Sequence, residues 1–130
     1  MFIRPVSCKL SFFSAITQNV CQLESLSVEC AFDAIIVVTS ARYGRMRLSR
    51  CADTDYGAIG CRSDVRYLLE RKCAGRRRCS FPVPNNDLEA TRPCPVDLKS
   101  YLEFSFLCIP GETNILYLSH THTNPMIQKF

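Results

Sequence analysis

Apolar and polar residues alternate from Ser25 to Cys30, with Leu26, Val28 and Cys30 separated by Ser27 and Glu29. A period of two predicts a half-buried strand, polar on one face and apolar on the other. Ala34 to Thr39 has a different pattern: its run Ile35, Ile36, Val37, Val38 is continuous, β-branched and short, and predicts a strand buried on both faces. Alternation returns at Cys79, Phe81 and Val83, and again at Leu102, Phe104, Phe106 and Cys108. Between these four strands, Val65, Leu68, Leu69 and Cys73 recur at helical spacing. The expected helix has Ser63 as N-cap, Asp64 in its first turn, Arg71 and Lys72 in its last and Gly75 just beyond. Two turn-rich stretches, Pro82 to Asp87 and Arg92 to Pro95, read as loops on this scaffold.

Cysteine changes the picture most. Nine Cys in 130 residues is a density found in secreted domains that supplement a small core with crosslinks. Structural zinc sites show pairs of Cys two to four residues apart, and here the closest pair is Cys73 and Cys79. Disulfides in an oxidising compartment, not metal, are therefore expected. Eight of the nine lie between residues 21 and 108, an even number that leaves Cys8 outside. That divides the chain into a lead (1–20), one domain (21–108) and a flexible tail (109–130). Cys8 is a candidate for a disulfide dimer.

The lead makes a poor export signal, because Pro5, Ser7, Lys9 and Ser11 interrupt its apolar residues. The expectation is an extracellular chain, or the extracellular part of a larger membrane receptor, whose signal lies in a longer parent chain or which is an alternative or incomplete product. No stretch reaches the roughly eighteen apolar residues of a membrane span.

Charge excludes more than it suggests. A net charge of +4 is too mild to imply nucleic acid or a membrane surface. Arg42, Arg45, Arg47 and Arg50 form one local cluster and Arg76, Arg77 and Arg78 another, both read as solvated basic faces. Both His, His120 and His122, lie in the tail without a third ligand. No His in the domain can therefore activate a Cys or Ser nucleophile. Asp53, Asp55, Asp64, Glu89 and Asp97 read as ordinary surface acids. The expectation is a binding module, not an enzyme, with no cofactor and no metal.

Three features together carry a family resemblance: Ala41-Arg42-Tyr43-Gly44-Arg45, the Cys pair Cys73 and Cys79 after a helix, and a closing run of Pro93-Cys94-Pro95, Lys99, Tyr101-Leu102-Glu103 and Cys108. Over residues 21–108 the chain resembles the galactose- and rhamnose-binding lectin domain of the sea-urchin-egg type, also found in latrophilin-like adhesion receptors. The resemblance implies a mainly β, small antiparallel sandwich-like lectin domain with one helix and four disulfides: Cys21 to Cys51, Cys30 to Cys108, Cys61 to Cys94 and Cys73 to Cys79. Chain entropy gives such bridges on the order of 2 to 4.5 kcal/mol each.

It further implies calcium-independent binding of one galactose- or rhamnose-type sugar on extracellular glycans. Tyr43 and Lys99 are the implied contacts, Gly44 gives backbone freedom at a turn, and Arg45 orders a loop. This chain departs from the family at Gln22 (usually Glu), Arg92 (usually Asp) and Val96 (usually Gly), and Ser100 reads as an insertion. Two charge-assisted acceptors are lost, with Glu24 or Asp97 as candidate replacements, so Gln22 and Asp97 join the expected sugar site. The alternative keeps the fold without the sugar: an extracellular adhesion module that binds protein through Arg42, Arg45 and Arg47.

Overall fold

The computed structural model describes residues 14–111. Cys8, His120 and His122, and with them the expected dimer and most of the expected flexible tail, lie outside them. Among the described residues, six strands and two helical segments follow one another: β1 (Ile16–Val20), β2 (Ser25–Glu29), β3 (Ala34–Gly44), β4 (Arg62–Asp64), α1 (Arg66–Cys73), β5 (Arg78–Pro82), the single turn α2 (Asn86–Glu89) and β6 (Tyr101–Pro110). β1, β6, β3 and β4 form one antiparallel sheet in that order, and β2 pairs antiparallel with β5 in a second. The domain is mainly β with one main helix, as expected.

The four predicted strands form for the reason their patterns give. Leu26 and Val28 of β2 turn inward while Ser25, Ser27 and Glu29 face out. From the other sheet Ile36, Val38, Leu102, Phe104 and Phe106 meet them, and Val65 with Leu69 and Cys73 of α1 closes the core. Phe104 and Phe106 stack with ring centroids 5.2 Å apart. A register shift between Val38 and Ser40 accommodates one extra residue in β3, a bulge that lets the strand run on to Gly44.

Two strands were not predicted, and both are poor in apolar residues. β1 lies in the last five residues of the lead, yet pairs with β6 from Ile16 opposite Phe106 to Val20 opposite Leu102. The sheet thus begins before residue 21. Its sequence ITQNV carries one buried side chain, Val20, too little for a periodic signal. β6 likewise continues through Ile109 and Pro110 into the stretch counted as tail.

β4 explains the corrected start of the helix. Ser63 is not the N-cap, because it pairs with Tyr43 as the middle residue of β4. Val65 occupies the cap position without a side-chain hydrogen bond, and the carboxylate of Asp64 accepts from the Arg66 N–H at 3.0 Å instead. Gly44 sits at the end of β3 against this strand with φ +156°, a conformation that residues with a side chain rarely adopt, and a Cβ there would also stand 2.3 Å from the Cys61 carbonyl oxygen.

All four implied bridges are present, Cys21–Cys51, Cys30–Cys108, Cys61–Cys94 and Cys73–Cys79. Cys30–Cys108 and Cys73–Cys79 fasten the strand-and-helix body. The other two reach the long connections, where a second, smaller core of Met46, Cys51, Ala52 and Tyr101 lies.

Candidate functional site

The connection from α2 to β6 builds a concavity. The Asn85 side chain caps α2 by accepting from the Leu88 N–H at 2.9 Å, and buried Leu88 anchors the turn. Thr91 donates from its hydroxyl to the Leu88 carbonyl at 2.7 Å. Arg92 then takes a left-handed conformation (φ +44°) and sends the chain through Pro93, Cys94 and Pro95. The Cys61–Cys94 bridge ties this loop to the start of β4.

The resulting cleft holds about 490 Å³. Its polar wall is Gln22, the Tyr43 hydroxyl, Glu89, Arg92 and Ser100; Pro93, Pro95, Val96 and Leu98 line the apolar side. At its floor Tyr43 donates to a Glu89 carboxylate oxygen at 2.8 Å. Burial, reinforced by that hydrogen bond and the charge of Glu89, pushes the Tyr43 phenol well above its usual range. It therefore stays protonated and holds Glu89 in place. Accepting one neutral hydroxyl leaves the carboxylate most of its capacity for further donors. The Arg92 guanidinium has no hydrogen-bond or ion-pair partner among the described residues.

The expected site residues separate into two groups. Tyr43 and Gln22 meet in this cleft, but the Tyr43 ring is 2% exposed and belongs to the core. Only its hydroxyl end is offered, so a ring cover for a ligand's apolar face is not available from it. Lys99 and Asp97 line a different cavity of about 340 Å³, with Asp53, Thr54 and Tyr56. Ser100 takes the cleft side of the chain and Lys99 the other. Glu24 does not line the cleft either; its two oxygens accept from Arg50, at 2.8 and 3.2 Å.

The acid in the cleft is Glu89, which sequence reasoning grouped with ordinary surface carboxylates. No local motif distinguishes it, since the partner that orients it lies 46 residues earlier. Arg45 lies inside, between two connections. It is 2% exposed, and its guanidinium donates to the carbonyls of Ala58 (3.1 Å), Lys99 (2.9 Å) and Thr54. Three acceptors on two separate connections are thus satisfied by one planar donor fork. The Arg42, Arg45, Arg47 contact face does not form as drawn. Arg45 is inside, while Arg42 and Arg47 both address Glu103, at 3.9 and 2.6 Å. In the second basic cluster Arg77 pairs with Glu29 at 3.3 Å.

A family model described as the D-galactoside/L-rhamnose binding SUEL lectin domain matches residues 28–108. Among curated proteins, the chain is similar to the protein named eva-1 homolog C. It is 29% identical over 98 residues to that of Homo sapiens, covering 72% of this chain and 22% of that protein. It is 28% identical over 120 residues to that of Mus musculus, covering 86% and 26%. The chain spans about a quarter of the length of these curated relatives.

Proposed function

The chain belongs to the SUEL lectin domain family, and from that membership we propose that the cleft at Tyr43 and Glu89 binds the vicinal hydroxyls of one galactose- or rhamnose-type sugar. The observation that carries this reading is the Glu89 carboxylate, fixed 2.8 Å from the Tyr43 hydroxyl. It supplies the charge-assisted acceptor that Gln22 and Arg92 do not. The Gln22 amide and the Ser100 hydroxyl add neutral donors and acceptors, and Pro93, Pro95 and Val96 add apolar contact for the C–H face of the sugar. Binding is calcium-independent, because every contact is a side-chain hydrogen bond or an apolar surface. Four disulfides support an extracellular or secreted setting.

A single sugar in so open a site binds weakly, in the millimolar range or about −4 kcal/mol. The test is retention of the oxidised protein on immobilised galactose and rhamnose, with and without a calcium chelator. Retention should survive the chelator and fall at least tenfold in Glu89→Gln. A folded wild-type protein that neither column delays at millimolar sugar overturns the reading.

The second reading, a protein-binding adhesion module of the same fold, is favoured by Val96. This side chain is 91% exposed at the cleft rim, at a position where the family usually carries Gly. Loss of protein capture in Val96→Gly, with no sugar retention by the wild type, is the outcome that selects it.

A further inference from the structure

We infer that the binding site continues past Leu98 into a second subsite at Tyr56, Asp97 and Lys99, so that the ligand is a glycan of at least two sugar units. This extends the proposed function and rests on it. Leu98 lines both cavities, so the second begins where the first ends. A ligand seated against Glu89 and extended over this ridge meets a different set of groups.

Their chemistry suits a neutral saccharide unit. The Asp97 carboxylate and the Lys99 ammonium lie two residues apart with no ion pair or hydrogen bond to each other or to any other described side chain. An acceptor and a donor, both uncommitted, can together hold adjacent sugar hydroxyls. Tyr56, 70% exposed, adds an open aromatic face of the kind that covers a sugar's C–H surface, which the buried Tyr43 ring cannot do. The walls are set before any ligand arrives. Through its bonds to Thr54, Ala58 and Lys99, buried Arg45 joins the two connections that form the cavity. A preorganised site loses less free energy to ordering on binding.

The experiment titrates the isotope-labelled, oxidised chain with methyl α-L-rhamnoside, methyl β-D-galactoside and a panel of galactose- and rhamnose-terminated disaccharides, including lactose and melibiose. Amide shifts and affinities are read together. At least one disaccharide should bind about tenfold more tightly than its monosaccharide, a difference of about 1.4 kcal/mol. It should also shift Tyr56, Asp97 and Lys99 in addition to the Tyr43 side. Tyr56→Ala should remove that gain and leave the monosaccharide affinity unchanged; Lys99→Ala should also remove the gain. If monosaccharides shift the Tyr43 side but no disaccharide gains affinity or reaches Tyr56 and Lys99, the extension is overturned and the proposed function stands. If no sugar shifts the Tyr43 side, both fall.

Discussion

In the body built from β2, β3, β5, β6 and α1, apolar side chains from two sheets and a helix meet in one continuous core. In the connections from Arg45 to Cys61 and from Ala90 to Ser100, the second core has only three buried residues, Met46, Cys51 and Ala52, closed by Tyr101 at the start of β6. Two disulfides, Cys21–Cys51 and Cys61–Cys94, and the three bonds of Arg45 do much of the holding there. The second region lines most of both cavities, while Gln22, Tyr43 and Glu89 of the cleft come from outside it. Burial is the dominant force in the body, whereas crosslinks and a buried polar fork shape the site. The two regions should therefore fail separately when their own supports are removed.

The largest effect is expected from Cys30→Ala with Cys108→Ala. This bridge closes a separation of 78 residues and ties β6 to the end of β2, so its loss should cost on the order of 4.5 kcal/mol. That approaches the whole stability of a small domain, and the protein should unfold globally at 37 °C by circular dichroism. Cys61→Ala with Cys94→Ala removes a bridge of 33 residues and, by the same relation, about 3.5 kcal/mol. The consequence should be more local: hydrogen exchange should accelerate from Arg92 to Ser100 while β3 and β6 stay protected, and sugar retention should vanish. Equal loss of protection in both regions would remove the distinction between them.

The same division decides what was legible in the sequence. β2, β3, β5 and β6 were visible because burying one face imposes a period of two, and a continuous β-branched run marked the interior of β3. β1 and β4 were not, since ITQNV and RSD bury too little to leave a pattern. The helix was legible, but not its start, because Ser63 looks like a cap until β3 claims it as a strand residue. The disulfide pairing came through the family resemblance. At the cleft, local pattern fails for a physical reason: its residues come from connections whose meeting is set by tertiary contacts. Glu89 gains its position from Tyr43, and Ser100, not Lys99, stands on the cleft wall.

Arg45→Lys is the next effect in size. A lysine keeps the charge but cannot reach three carbonyls in one plane. At least one buried acceptor then lies unpaired, at a cost of about 1 to 3 kcal/mol. Thermal melting should drop accordingly, and binding at both cavities should weaken even in the cold, where the domain is folded. An unchanged affinity would mean that the connections keep their shape without the fork.

The smallest effect concerns a support of the second region that lies at the surface. Glu24 accepts from Arg50 and, at 2.9 Å, from the Cys21 N–H, beside the Cys21–Cys51 bridge; Arg50 also donates to the Asn19 carbonyl at 2.8 Å. The Arg50 hydrogen bond first, then the Cys21 N–H, hold the Glu24 carboxyl below the usual glutamate range. A carboxylate with a lowered folded pKa contributes stability that is present above its unfolded pKa and lost as pH falls through the folded one. Melting temperature should therefore decline slightly on acidification below the ordinary glutamate range. Glu24→Gln should flatten part of that decline while leaving the hydrogen exchange of β3 and β6 unchanged. Because both partners face solvent, added salt should shrink the difference further. A pH profile that is identical in wild type and variant at low salt would show that the bridge and the β1–β6 pairing hold this corner without the ion pair.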